Sequence, residues 1–215
     1  MREESGTLSA MHTERSDAQI ELFGQPPAHA ETHRLFFALM PDVALRHEIN
    51  HAAALVQLQY PELRARWVKP ERFHVTLNFL GDYAAPPEEA AEKAKAAAGR
   101  LQANAFDWTL DYVASFRGRE PPCVLRSTAQ PEPLLTLWRT MDKELTQAGV
   151  RRPIERQLTP HVTLAYGRHE LPGPTPVAPI NWHVDRFALI HNVVGKGNYQ
   201  VLGSWLLGRS GARDE

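Results

Sequence analysis

The sequence predicts a globular domain that mixes α-helices and β-strands. Strand-like and helix-like hydrophobic patterns alternate through the central part of the chain. The 215 residues, 43% of them hydrophobic, are enough for one large domain or for two small lobes around a shared cleft. The tetrapeptide His-Val-Thr-Leu occurs twice, at residues 74–77 and 161–164. This repeat predicts two strands with the same alternation of side chains.

The two ends of the chain are predicted to be flexible tails outside the fold. Residues 1–32 are polar and lack a helix or strand period, and residues 208–215 are similar. The N-terminus has no apolar signal segment, and no stretch approaches the ~20 apolar residues that cross a bilayer. A single cysteine, Cys123, cannot form an intrachain disulfide and is expected in a buried strand. These features favour a cytoplasmic protein without a membrane partner.

The first half of the domain is predicted to contain two strands and two helices. An apolar run marks a buried strand at 34–40, and Pro41 and Asp42 then look like the start of a helix that reaches about residue 60. A strand at 72–80 is closed by Gly81. Prolines and acidic residues at 86–89 open an alanine-rich helix to about residue 101, where they suit its positive N-terminal end.

The second half is predicted to be richer in strands. Apolar patterns indicate strands at 106–116 and 123–127, and a helix through 134–145 that stops at Gly149. Further strands are predicted at 159–166, 182–194 and 199–207, with Trp182 and Trp205 in the core.

The repeated tetrapeptide divides its side chains between two faces. Successive side chains of a strand point to opposite faces, so His74 and Thr76 share one face, and His161 and Thr163 share the equivalent face of the second copy. The valine and leucine of each copy can enter the core. Two such polar faces, placed opposite each other, would form a cleft with two imidazoles and two hydroxyls.

This set of groups suits the opening of a cyclic phosphodiester. The reaction needs a base to deprotonate water and an acid to protonate the departing ribose oxygen, and imidazole, with a pKa of roughly 6.5, can do either. Threonine hydroxyls can hold the nonbridging oxygens. The net charge is −1, so phosphate binding must be local. Two basic clusters, at 64–72 and 151–156, run into the His-x-Thr strands and could rim the cleft.

In four segments the chain resembles the RNA 2',3'-cyclic phosphodiesterases of the two-histidine phosphoesterase superfamily, also called 2'-5' RNA ligases. The segments are RLFFAL at 34–39, RWVKPERFHVTLNFLGD at 66–82, TPHVTLAYG at 159–167 and GNYQVLGSWLL at 197–207. The resemblance spans about residues 33–207. It implies a single bilobal α+β domain, with two antiparallel sheets related by a pseudo-twofold axis around a central cleft.

The resemblance also implies an activity and a set of roles. It implies hydrolysis of RNA 2',3'-cyclic phosphate ends, or of related small nucleotides, to 2'-phosphomonoesters, with the reverse 2'-5' ligation as a second reaction. The strained five-membered ring is already reactive, so we expect no metal and no cofactor. We also expect a monomer. His74 would be the acid, His161 the base, and Thr76 and Thr163 the phosphate ligands. The family often has a basic residue at the position of Tyr166. Tyr166 and Arg168 are therefore candidate substrate contacts, with Arg168 as a substitute cation.

Two other functions remain as alternatives. One is a non-catalytic binder of RNA ends or nucleotides that uses the same cleft. The other is a zinc hydrolase, since residues 47–51 read His-Glu-Ile-Asn-His and match the H-E-x-x-H motif. The apolar stripe of that helix predicts that His47 and His51 face away from the core, which disfavours an enclosed metal site.

Overall fold

The computed structural model describes residues 31–208, which form nine strands and three α-helices. The predicted tails, 1–32 and 208–215, lie almost wholly outside these residues, and the predicted domain limits stay a prediction. The strands are β1 (His33–Leu39), β2 (Arg66–Trp67), β3 (Val75–Tyr83), β4 (Phe106–Ser115), β5 (Pro122–Arg126), β6 (Val162–Tyr166), β7 (Thr175–Val184), β8 (Arg186–Val193) and β9 (Gln200–Leu206). The helices are α1 (Val43–Gln59), α2 (Glu88–Gly99) and α3 (Glu132–Gln147).

The strands build two antiparallel sheets. The first has the order β3-β1-β8-β9, and the second has the order β2-β6-β5-β4-β7. Every pairing between these strands is antiparallel. The α+β class with two antiparallel sheets is therefore confirmed. One copy of the repeated tetrapeptide lies at β3 in the first sheet, and the other lies at β6 in the second.

The helices cover one face of each sheet. Helix α1 begins after Asp42, whose carboxylate accepts the Leu45 N–H at 2.8 Å and so caps the helix as its sequence predicts. Its buried stripe packs toward β7 of the second sheet, whereas α2 and α3 pack on strands of the first sheet. None of the helices within 31–208 is long and apolar enough to cross a membrane.

A continuous hydrophobic core joins residues of both sheets. Leu77 of the first sheet and Leu164 of the second are fully buried members of it. Trp182 belongs to this core, and Trp205 packs against it with its ring stacked on Phe187. The core position of Trp182 and the buried strand position of Cys123 are confirmed, whereas Trp205 is only partly buried at the border of the core.

The predicted single strand at 182–194 is wrong. The structure divides it at Asp185 into β7, which belongs to the second sheet, and β8, which belongs to the first. The apolar pattern continues across the division, so the sequence gives no sign of the change of sheet. Strand β7 also begins earlier, at Thr175, in spite of Pro176 and Pro179. An edge strand tolerates proline because one row of its N–H groups needs no partner in the sheet.

The two repeat strands begin later than predicted. Residues 70–72 form a single 3₁₀ turn, and β3 starts at Val75 and continues through Gly81 to Tyr83. Gly81 has a φ of 143°, so the glycine that was predicted to end the strand instead lets it bend and continue. Strand β6 likewise starts at Val162 rather than at residue 159. Each motif histidine therefore directly precedes its strand.

Candidate active site

The repeated tetrapeptide presents the same two faces in both sheets. Its valines and leucines are fully buried in the core. The four polar side chains lie on the opposite face and are half-buried, as predicted: His74, Thr76, His161 and Thr163. Neither threonine hydroxyl has a hydrogen-bond partner within residues 31–208, so both are free to hold a ligand.

Both histidines are fixed by the same hydrogen bond. The Nδ1 atom of His74 lies 2.7 Å from the carbonyl oxygen of Arg72, and Nδ1 of His161 lies 2.8 Å from that of Thr159. A carbonyl oxygen only accepts, so each Nδ1 carries a proton and donates it. The Nε2 atom of each ring is left to give or take a proton.

Aromatic side chains orient the two imidazoles further. The His74 ring packs against Phe36 and Tyr199, with centroids 5.2 and 5.3 Å away. The His161 ring meets the edge of Phe116 at 4.9 Å. Each imidazole thus has one nitrogen bound to backbone and one side packed on a ring, which leaves it little freedom to rotate.

Burial lowers the pKa of both histidines. For His74 the pKa falls from 6.5 to about 4, chiefly because burial disfavours the charged ring, and the charges of His161 and Arg72 add to this. The pKa of His161 is also lowered, first by burial and then by the charge of Arg126. The influence of His161 on His74 shows that the two rings lie within electrostatic range of each other. Both rings are neutral near pH 7 in the free protein.

Side chains from both sheets meet around the histidines. Tyr166 of the second sheet influences the pKa of Arg34 and of Tyr199, which lie on the His74 side. Arg34 is held by a two-point ion pair with Asp82, at 2.8 and 2.9 Å. Side chains of the two sheets therefore lie within electrostatic range of each other on this face.

The remaining predicted substrate contacts lie at the edge of this region. Tyr166 is 37% exposed, and the guanidinium of Arg66 sits 4.9 Å from its ring centroid. Arg168 is exposed in the turn after β6, and its backbone N–H donates to Leu63. Its side chain makes no hydrogen bond or ion pair within residues 31–208, so its contact with substrate stays a prediction.

The two basic clusters have different surroundings. Arg72 of the first cluster donates to the carbonyl of Gly197 and stacks on Tyr199, beside His74. Arg152 of the second is held by Asp142 of α3. The other members are exposed: Arg64, Arg66, Lys69, Arg151 and Arg156.

The His-Glu-Ile-Asn-His segment faces solvent on α1. His47, Glu48 and His51 are exposed, while Ile49 between them is fully buried. The predicted orientation of this segment is confirmed. Within 31–208, no group of three or more histidine, cysteine, aspartate or glutamate side chains is placed to share a metal ion.

Comparison with known proteins agrees with this arrangement. The model of the family described as LigT-like phosphoesterase matches residues 39–126. The RNA 2',3'-cyclic phosphodiesterase of Escherichia coli (strain K12) is 29% identical over 182 residues, which are 83% of this chain and 98% of that protein.

Solved structures show the same similarity. The crystal structure of E. coli LigT in apo form superposes with a TM-score of 0.66 at 27% identity, over 83% of this chain and 99% of that one. The complex of E. coli LigT with 3'-AMP gives a TM-score of 0.67 at 27% identity, over 82% and 99%.

The chain is similar in sequence and in fold to the LigT-like phosphoesterases.

The LigT-like relationship was evident from the sequence, but several side chains around the histidines were not. Tyr199 and Phe116 were assigned only to strand ends, and Arg126 was not singled out. Their positions depend on strand register and on which loops fold back over the cleft. No spacing in the sequence reveals either of these.

Proposed function

We propose that the chain hydrolyses the 2',3'-cyclic phosphate at RNA ends to a 2'-phosphomonoester, with His74 and His161 as acid and base. The observation that carries the proposal is the pair of imidazoles, each with Nδ1–H on a backbone carbonyl and Nε2 free, on the two polar faces. The E. coli relative is named for the same activity. Related small cyclic-phosphate nucleotides fit the same chemistry.

The proton transfers balance within this pair. His161 Nε2 takes a proton from water as the water oxygen bonds to phosphorus. The bond from phosphorus to the ribose 3' oxygen breaks, and protonated His74 gives its Nε2 proton to that oxygen. The product keeps the phosphate on the 2' oxygen, and solvent then resets both rings. A 5'-hydroxyl in place of water would give a 2'-5' linkage by the same transfers.

The charges around the two rings support this division of roles. Burial lowers the pKa of His161 most and the charge of Arg126 lowers it further, so this ring stays neutral, as a base requires. His74 is neutral in the free protein chiefly because of burial. A phosphate anion between the rings would offset that penalty and raise the pKa of His74, so that the acid becomes protonated when the substrate binds.

The threonines complete the site. The unpaired hydroxyls of Thr76 and Thr163 can donate to the nonbridging oxygens, where negative charge grows in the transition state. Two imidazoles and two hydroxyls supply every group that the strained ring needs for opening. We therefore propose that the reaction does not require a metal ion.

A direct assay tests the proposal. Purified protein is incubated in EDTA with an oligonucleotide that ends in a 2',3'-cyclic phosphate, and the product is identified. We expect complete conversion to the 2'-phosphate. His74→Ala and His161→Ala should each lower the rate by about 10²- to 10⁴-fold. The matched control is His51→Ala, an exposed histidine of α1. Its rate should equal that of the wild type.

The same assay separates the alternatives. A wild type that binds the oligonucleotide without converting it would leave only the binding function. Activity that is lost in EDTA, and lost also in His51→Ala, would instead favour the zinc hydrolase.

A further inference from the structure

The two histidines have different neighbours on the adjacent strand. On the first sheet Leu39 pairs with Val75, so continuing this register places Met40 opposite His74. On the second sheet Leu125 pairs with Val162, and continuing that register places Arg126 opposite His161. Side chains directly opposite each other on an antiparallel pair share a face and lie ~4.5–5.5 Å apart at Cβ. The strand beside His161 therefore carries an arginine at the position where the strand beside His74 carries an uncharged methionine.

Arg126 is held beside His161 by two aromatic rings. Its guanidinium carbon lies 5.6 Å from the ring centroid of Tyr112 and 5.6 Å from that of Phe116. Phe116 is also the ring that packs on His161. The guanidinium is thus positioned by stacking, which leaves its N–H groups free.

The hydrogen-bonding capacity of Arg126 is unused by the protein. Its Nε atom is buried without a partner, and no nitrogen of this side chain makes a hydrogen bond or ion pair within residues 31–208. The other two arginines near the histidines are committed, Arg34 to Asp82 and Arg72 to the carbonyl of Gly197. A half-buried guanidinium without a hydrogen-bond acceptor is energetically unfavourable, and this favours the binding of an anion beside it.

We propose that Arg126 is a substrate-binding residue that donates to a nonbridging oxygen of the phosphate on the His161 side of the cleft. The proposal rests on the proposed function, because that function places a phosphate between the two histidines. Arg126 then adds a positive charge to the neutral hydroxyl that Thr163 offers on this side of the cleft. Tyr166 carries no charge, and Arg66, which stacks on it, is exposed.

The same charge serves a second purpose at His161. Arg126 adds to burial in lowering the pKa of His161, so this imidazole stays neutral and able to accept a proton. Met40 gives His74 no such influence. On the His74 side the corresponding charge comes from Arg72, which already donates to the carbonyl of Gly197. Arg126 differs because, within residues 31–208, its N–H groups are free for an anion.

Binding measurements test the proposal without requiring turnover. Adenosine 2'-monophosphate and adenosine are titrated into the full chain and into Arg126→Met, which keeps the length of the side chain and removes its charge. Wild type should prefer the phosphate-bearing ligand, and Arg126→Met should lose about 10- to 100-fold of affinity for it. Affinity for adenosine should not change, because adenosine has no phosphate for Arg126 to bind. A purely structural role for Arg126 would instead lower the affinity for both ligands alike.

Two further variants sharpen the result. Arg126→Lys keeps the charge but not the planar guanidinium, so it should recover part of the lost affinity. Arg139→Met removes an exposed positive charge of α3 and should bind both ligands like the wild type. Equal losses for adenosine 2'-monophosphate in Arg126→Met and Arg139→Met would overturn the proposal. So would a wild type that does not distinguish the two ligands.

Turnover separates this proposal from the proposed function. A wild type that binds adenosine 2'-monophosphate through Arg126 but hydrolyses no cyclic phosphate would refute the function and leave the phosphate site. An active enzyme whose kcat/KM is unchanged in Arg126→Met would refute the phosphate-binding role of Arg126 and leave the proposed function standing.

Discussion

At the scale of single residues, the two histidines are equivalent in geometry and different in environment. Both rings donate Nδ1–H to the carbonyl two residues earlier, which fixes the same tautomer twice. Burial lowers the pKa of both rings most, and their charged neighbours then differ, since Arg126 acts on His161 whereas Arg72 and His161 act on His74. Opposite roles for two identical side chains depend on such differences in environment.

The threonines of the repeat should matter for rate and not for stability. In Thr76→Val and Thr163→Val the methyl groups are retained, and no hydrogen bond within 31–208 is lost. Loss of one donor to the developing charge should lower kcat by roughly 10²-fold. Steady-state kinetics and thermal unfolding on the same preparations check this. If the melting temperature fell so far that the variant is partly unfolded at the assay temperature, the lower rate would reflect instability and would contradict the phosphate-binding role.

Burial of His74 should make the protein less stable in acid. The unfolded chain binds a proton at this residue near pH 6.5, whereas the folded chain does so only near pH 4. The contribution of neutral His74 to the free energy of unfolding is therefore fully present above pH 6.5. It is lost as the pH falls toward 4, which lowers the free energy of unfolding by up to about 3 kcal/mol.

The variant His74→Gln isolates this contribution, because glutamine does not titrate. The free energy of unfolding is measured by denaturant titration between pH 4 and 7. The difference between wild type and His74→Gln should move in favour of the variant as the pH falls. Parallel pH curves for the two proteins would refute the assignment.

At the scale of elements, the turn after β6 depends on a glycine. A Cβ atom added to Gly167 would lie 2.7 Å from the carbonyl oxygen of His169 and 3.4 Å from that of Leu63. Both contacts are to backbone, so the chain itself would have to move. Gly167→Ala should cost about 1–3 kcal/mol of unfolding free energy. Denaturant titration provides the measurement.

Gly173 is the matched control for this turn. It is half-buried, whereas Gly167 is buried, and an added Cβ at Gly173 would meet nothing within 4 Å. Gly173→Ala should change the unfolding free energy by no more than about 0.5 kcal/mol. If both variants were equally stable, the close approach at Gly167 would not constrain the turn.

Most elements were predictable because their hydrophobic periods are local. The stripe of α1 and its Asp42 cap are within a few residues of each other, and both appear as expected. The prediction of a single strand at 182–194 was wrong because its outcome depends on distant residues. Both β7 and β8 carry a strand period, and only distant partners in two sheets decide that the chain changes sheet at Asp185.

At the scale of the whole molecule, two sheets bring their polar faces together while sharing one core. The pH dependence of the reaction should report this cleft. In the free protein both histidine pKa values lie below 6.5, so the bell-shaped profile of kcat/KM should have its maximum below pH 6.5. A bound phosphate anion raises both pKa values, so the maximum of kcat should lie at higher pH.

Initial rates from pH 4 to 9, at low and at saturating cyclic-phosphate oligonucleotide, give the two profiles. The wild type is compared with Thr163→Val, which should lower both profiles without moving them, since threonine does not titrate in this range. A flat kcat/KM profile, or one with its maximum above pH 7, would argue against a pair of buried imidazoles.

The sequence by itself determined the fold class, the repeated tetrapeptide and the division of its side chains between core and cleft. These depend on strand alternation and on local apolar periods, which are written in neighbouring residues. Only the tertiary structure decided what stands beside each histidine. Met40 or Arg126 lies opposite the ring because of the register of another strand, and register is a property of the sheet rather than of any one segment.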